Sequence, residues 1–166
     1  MLISPSRFFA SSALEDCGLY GEVQLIIAGG IRDGVDAAKA MALGADAVYI
    51  GTAALIGLNC NRPIFVEDYH KLGTEPHHCH HCHTGLCPVG ITTQDPTLMQ
   101  RLDIDEGAER VTNLLRAMTL EIQMLARACG KSDIHHLEPE DMAALSMEAS
   151  AICGIPLAGM RKVFGR

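Results

Sequence analysis

Apolar positions change period along the chain, and each change marks a different kind of element. Val23-Gln-Leu-Ile-Ile-Ala28 is a short apolar run ending at Gly29-Gly30, which reads as a buried strand entering a turn. After Asp33-Gly34, residues Val35 to Leu43 are rich in helix formers, with Gly44 placed as a C-cap. Ala47-Val-Tyr-Ile50 is a second strand, ending at Gly51-Thr52. Strand, helix and strand in so short a span make a βαβ unit, so the two strands are expected to be parallel. Ala53 to Asn59 suits one or two helical turns. From 60 to 100 no period holds, and Pro63, Pro76, Pro88 and Pro96 punctuate a segment that reads as irregular. A long irregular segment inside a compact protein needs a reason, and a bound metal cluster is one.

The helical period returns at Asp103, where Asp103 and Glu106 stand at capping-box spacing. Ala108, Val111, Leu115, Met118, Ile122, Leu125 and Cys129 recur in steps of three and four. They draw an apolar stripe on a helix of about seven turns, closed by Gly130. Pro139 suits the first turn of a last helix, with Met142, Leu145, Ala149 and Ile152 inward and Gly154 and Pro156 ending it. Met1 to Ala10 reads as a short lead-in or the irregular start of a truncated frame. It lacks the long apolar core and small-residue cleavage site of a signal peptide.

The totals narrow the class. A chain of 166 residues with 48% apolar and 20% charged content has the size and balance of one soluble globular domain. Tryptophan is absent and aromatics are 4%, so the core must rest on Leu, Ile, Val, Met and Ala. A net charge of −7 argues against nucleic-acid binding, which needs a basic face. No apolar run approaches the roughly 18 residues of a membrane span. The cysteines number seven, an odd count, with four of them between Cys60 and Cys87. A secreted disulfide scaffold would spread them in pairs, so this clustering favours a reducing, cytoplasmic setting and a metal.

Two constellations carry candidate chemistry. Gly29-Gly30 and Gly51-Thr52 lie at the C-terminal ends of adjacent parallel strands, where glycine lets backbone approach a ligand. Amide N–H groups there, and the helix N-termini that follow, suit an anion, and in eight-stranded βα barrels this loop pair commonly holds a phosphate. Ordinary strand-to-helix turns would look the same. Arg32 and Asp33 beside the first turn would orient such a phosphate or form a surface ion pair. The second constellation is Cys60, Cys79, Cys82 and Cys87. Cys87 precedes a proline, as the last ligand of a ferredoxin run often does. His77, His78, His80, His81 and His83 also offer imidazoles, so tetrahedral zinc competes with iron–sulfur, and Cys79-x-x-Cys82 is a weaker candidate for a redox pair. Cys129 and Cys153 fall on apolar helix faces and read as small core residues, and the eight methionines also fit core packing. His135-His136 read as loop residues.

Ile27-Ala-Gly-Gly-Ile-Arg-Asp-Gly-Val-Asp-Ala-Ala-Lys-Ala-Met-Ala-Leu-Gly-Ala-Asp-Ala-Val-Tyr-Ile-Gly-Thr-Ala-Ala-Leu-Ile56 resembles the last two βα units of the FMN-binding barrel of glutamate synthases. His83-Thr-Gly-Leu-Cys-Pro-Val-Gly-Ile-Thr-Thr-Gln-Asp95 resembles the iron–sulfur segment of the same enzymes, and the order of the two motifs matches. The resemblance covers about residues 20 to 160. It implies an α/β fold: the C-terminal portion of an FMN-binding (β/α)8 TIM barrel over 1–59, an iron–sulfur loop over 60–100 and a helical segment over 101–166. It implies that Gly29, Gly30, Gly51 and Thr52 hold the FMN phosphate and that Cys60, Cys82 and Cys87 are cluster ligands. An insertion carrying Asp68 to Glu75 separates Cys60 from Cys82, so Cys79 either replaces Cys60 or adds a fourth ligand. Three thiolates suit a [3Fe–4S] centre and four a [4Fe–4S] centre.

The resemblance further implies an oxidoreductase. Electrons enter through the iron–sulfur centre, reach FMN and reduce the imine of 2-oxoglutarate and ammonia to glutamate. The partners it implies are glutaminase-type or other glutamate synthase subunits within an oligomer. An N-methylglutamate synthase subunit acting on methylamine is the alternative within the family, and a zinc-stabilised interaction module the alternative outside it. Only two of the eight βα units of a barrel of about 250 residues are present. The chain is therefore expected to be the C-terminal piece of a larger subunit.

Overall fold

The computed structural model describes residues 6–160 and Val163. Two units divide it: the described residues up to Gly51 together with those from Ala117 onward, and Thr52–Arg116.

In the first unit, helix α1 (Ser6–Asp16) takes up the second half of the stretch read as a short lead-in or irregular start, whose first five positions lie outside the described residues. Strand β1 (Ile26–Ala28), helix α2 (Gly34–Ala42) and strand β2 (Ala47–Tyr49) follow. The strands pair in parallel, Ile26 with Ala47, Ile27 with Val48 and Ala28 with Tyr49. The βαβ reading therefore holds, although β1 is shorter than the apolar run from Val23. The strands are not buried on both faces: Ile27 is buried, but Ile26 is 46% and Tyr49 65% exposed. Two strands alone give no neighbour to cover those positions.

The core of this unit is built on α2, whose Ala38 and Ala42 pack with Ala126 and Leu137. Small residues there let backbones approach. Helix α6 (Ile104–Ala128) runs from the second unit into the first, and its Asp103 cap accepts from Glu106 N–H at 3.0 Å. Its inward face differs from the expected stripe. Met118, Ile122 and Leu125 turn inward, but Ala108, Leu115 and Cys129 are exposed, and Gly107 and Ala126 are buried instead. Cys129 is thus not a core residue. The expected stripe drew on apolar side chains alone. The real contact face also uses Gly107, which has no side chain to count.

The last helix is also shorter than expected. Pro139–Asp141 forms only a 3₁₀ turn, the chain then extends, and helix α7 (Met147–Cys153) begins after Ser146, whose hydroxyl accepts from Ala149 N–H at 3.1 Å. Leu145, expected inward, is 91% exposed. The extended stretch is held by Ala144, which donates to Pro156 O and accepts from Ala158 N–H, each at 2.8 Å. That bridge puts Ala144 in a second cluster with Leu43 and Ile155, against which Cys153 packs as expected. Gly154 caps α7 in the left-handed region at φ 67°. Among the methionines, Met41 and Met118 are buried, whereas Met99, Met124, Met147 and Met160 are exposed, so core packing does not account for them all.

Two backbone N–H groups at the N-terminus of α2 are taken by the protein's own carboxylates. Asp33 caps it, accepting from Asp36 N–H at 2.9 Å, and Glu121 accepts from Gly34 N–H at 2.7 Å. Arg32 pairs with Asp36, its Nε donating at 2.8 Å, while Asp33 spends Oδ1 on the cap. Asp36 is 2% exposed. The Arg32 hydrogen bond holds its carboxyl below the ordinary range against the opposing effect of burial, and Lys39 adds to the shift. A depressed carboxyl contributes stability in full above its unfolded value of about 3.9, and loses it as pH falls through the lower folded value. Asp36→Asn should cost about 1–2 kcal/mol at neutral pH, a modest figure because the guanidinium is open to solvent. The variant should also lose less stability than the parent between about pH 4 and pH 2. Urea midpoints across that range check both; parallel curves for the two proteins would contradict the assignment.

Candidate metal centre and phosphate loops

All four clustered cysteines belong to the second unit, and its local structure explains how they meet. Helix α3 (Thr52–Gly57) ends in a turn with Asn59 at φ 68°, and Cys60 N–H donates to Leu55 O at 3.0 Å. A 3₁₀ turn (Pro63–Phe65) leads into helix α4 (Val66–Lys71). Another 3₁₀ turn (His81–His83) carries Cys82, and helix α5 (Pro96–Met99) is capped by Asp95. The segment read as irregular therefore contains two short helices. The helix beginning at Val66 lies in the stretch read as an insertion.

The centre of this unit is Tyr69, fully buried and packed with Cys87 and Val89; Cys60, Phe65, Cys79 and Ile91 pack against them. Its hydroxyl donates to Cys60 O at 2.5 Å. Burial and then the charges of Cys79, Cys60 and Cys87 push its pKa up to about 12. The Cys60 thiol is likewise raised by burial first, then by Cys82, Cys87 and Cys79. Each of these thiols is thus near enough for its ionisation to be felt by Cys60; Cys60, Cys79 and Cys87 share the cluster built on Tyr69, whereas Cys82 is exposed and lies outside it. None is in a disulfide.

Cys87 differs from the others. Burial pushes its thiol up, but backbone N–H groups of Thr92, Ile91 and Val89 aim at the sulfur and bring the net value below the ordinary one. The Thr92 hydroxyl adds to this lowering by proximity, yet it completes no hydrogen bond, and its Oγ1 is buried without a partner. N–H groups converging on a buried sulfur favour the thiolate, the form that binds metal. The donor set therefore fits a thiolate-bound centre. Among the described residues, no three His, Cys, Asp or Glu side chains are drawn in round a single metal ion. His77, His78, His80 and His83 are exposed. His81 is partly buried, with Nε2 at 3.1 Å from Leu72 O; it donates there, which leaves the buried Nδ1 without a partner.

The loop around Cys87 is braced from outside. Arg101 Nη1 donates to Pro88 O at 2.7 Å and to Asp68 Oδ2 at 2.8 Å, and its guanidinium lies 4.7 Å from the centre of the Phe65 ring. Thr93 Oγ1 donates to Gly85 O at 2.5 Å. Sequence reasoning passed over Tyr69, Thr92 and Arg101. The signal that was available for Tyr69 is a large aromatic in a chain with only three tyrosines, placed among clustered thiols.

The phosphate candidates are placed by the two strands. Gly29 (φ 98°) and Gly30 (φ 70°) follow β1, and Gly51 follows β2, so the parallel pairing sets both turns at the same end of the sheet. Thr52 opens α3. Gly29, Gly30, Gly51 and Thr52 are exposed, and a side-chain carbon added at Gly29 or Gly51 would meet nothing within 4 Å.

With this geometry in view, the comparisons with known proteins fix the family. Residues 8–132 match the conserved region in glutamate synthase, and the chain belongs to that family. It is 55% identical over 150 residues to a glutamate synthase large subunit-like protein of Rhizobium meliloti, covering 90% of this chain and 34% of the relative. It is 46% identical over 124 residues to the archaeal glutamate synthase [NADPH] of Methanocaldococcus jannaschii, covering 75% of this chain and 21% of the relative. A further relative, the archaeal-type glutamate synthase [NADPH] of Dehalococcoides mccartyi, is 40% identical over 152 residues, covering 89% and 27%. The chain thus spans about a third or less of the length of these relatives. No solved structure matches it.

Gly90 tests the integrity of the cysteine loop. It lies at φ 80°, and a side-chain carbon there would press on the backbone carbonyl of Leu98. Gly90→Ala should cost about 2 kcal/mol or more through strain and overlap. It should also speed alkylation of the buried Cys87. Denaturation midpoints and mass-resolved iodoacetamide labelling check this; unchanged Cys87 labelling would show that the loop does not depend on the close approach.

Proposed function

We propose that this chain supplies the iron–sulfur ligands and part of the FMN-phosphate site of a glutamate synthase-like oxidoreductase. The observation that carries the reading is the packing of Cys60, Cys79 and Cys87 in one cluster round Tyr69, with Cys82 near enough to act on Cys60 and backbone N–H groups favouring the Cys87 thiolate. The Cys60 thiol, raised by burial and by the neighbouring cysteines, is unfavourable as a free thiolate, and a cationic iron core would offset that penalty. Four sulfurs suit a [4Fe–4S] centre. When bound, the cluster supplies single electrons and FMN passes a hydride to the imine of 2-oxoglutarate.

The protein's own part is to hold and to tune. The N–H groups of Val89, Ile91 and Thr92 would stabilise negative charge on the Cys87 sulfur and so shift the cluster's potential upward. Gly29, Gly30, Gly51 and Thr52 would offer backbone and hydroxyl donors to the FMN phosphate. The α2 N-terminus takes no part, because Asp33 and Glu121 already occupy it. Family membership supports this assignment, and the relatives named glutamate synthase [NADPH] support glutamate formation as the overall reaction.

Anaerobic purification tests the centre. The expected product is brown, absorbs near about 400 nm and carries roughly equal iron and acid-labile sulfide, in line with thiolate-held clusters. Cys87→Ser should lose most of both. A colourless protein with one zinc per chain would replace this reading with a zinc-stabilised module. In the assembled flavoprotein, Gly30→Glu should lose FMN because it puts a carboxylate where the phosphate binds; unchanged flavin content would remove the phosphate assignment.

A further inference from the structure

The stretch between Cys60 and Cys79 lengthens the path between two candidate ligands, and a longer path costs closure entropy. Helix α4 folds that path back on itself. Tyr69, 0% exposed, donates its hydroxyl to Cys60 O at 2.5 Å, while its ring packs with Cys87 and Val89 and meets Cys60 and Cys79. One residue earlier, Asp68 accepts from Arg101, which also donates to Pro88 O, next to Cys87. Helix α4 is therefore tied to Cys60 through one side chain and to the Cys87-Pro88 loop through its neighbour. A buried hydroxyl must find an acceptor. Here the acceptor is the backbone of a cysteine, so the direction of that cysteine depends on the bond.

We propose that Tyr69 is the positioning residue that makes Cys60 the fourth sulfur of the set. It acts from inside the cysteine pocket, and it turns a segment that would separate Cys60 from its partners into the strut that brings it to them. The proposal rests on the reading of the four cysteines as cluster ligands. It assigns the tyrosine no contact with substrate or flavin.

Tyr69→Phe keeps the ring and removes only the hydroxyl. In the anaerobically purified parent protein the proposal expects a four-iron centre. In the variant it expects ready conversion to the three-iron form, read from iron content and the electron paramagnetic resonance signal, and Cys60→Ala should reproduce that spectrum. In the metal-free protein, mass-resolved alkylation should rise about five-fold at Cys60, the weight of one neutral hydrogen bond, and stay unchanged at Cys87. Two results overturn the proposal while leaving the cluster reading intact: a variant matching the parent in spectrum and labelling, or labelling that rises equally at all four cysteines. A parent protein that binds no iron overturns both.

Discussion

The hydroxyl of Tyr69 bonds to the Cys60 carbonyl from a ring that solvent does not reach. Around it lie sulfur atoms that each make the ionisation of Cys60 harder. Such an arrangement has little regular backbone structure to rely on. Among the described residues of this unit there is no named strand, and apart from the first half of α6 its helices are one or two turns long. Its order comes instead from specific polar ties. Arg101 joins Asp68 to Pro88, Thr93 ties to Gly85, and His81 ties to Leu72. A short helix such as α4 is marginal on its own. It persists here because burying Tyr69 rewards its formation and the Asp68–Arg101 pair anchors its exposed side.

The other unit is governed by a different constraint, the charge at the start of α2. A helix N-terminus with open N–H groups attracts anions. Asp33, Asp36 and Glu121 supply three carboxylates there, and two of them take backbone N–H groups directly. These carboxylates offset the partial positive charge at the start of α2. The two glycine turns by contrast have exposed backbone, with open space at Gly29 and Gly51. Specificity at such a site would lie in loop geometry and not in a charged side chain, since Arg32 is committed to Asp36.

Much of this was legible in the residues. The βαβ unit followed from two apolar runs bracketing a helix-former stretch, because period and glycine punctuation are local signals. The start and end of α6 followed from Asp103 and Gly130 for the same reason. The failures share a cause. Leu115 and Cys129 were assigned inward on apolarity, yet which face of a helix is covered depends on what packs on it. Leu145 was placed on a helix that does not form, because the Ala144–Pro156 and Ala144–Ala158 bonds claim that stretch as extended chain. The cysteines were recognised by type and spacing. Tyr69 was not, since its role depends on a fold-back of α4 that no spacing rule encodes.

The sequence left zinc and iron–sulfur open because imidazoles and thiols alternate through residues 77 to 87. The structure sorts these two kinds of donor. Four of the five histidines there face solvent, and the fifth spends one ring nitrogen on the Leu72 carbonyl. Cys87 is buried and Cys60 and Cys79 are partly so, packed on an apolar floor of Tyr69 and Val89; only Cys82 is exposed. The histidines therefore meet water while three of the cysteines are shielded by apolar contacts, and His81 keeps a buried Nδ1 without a partner.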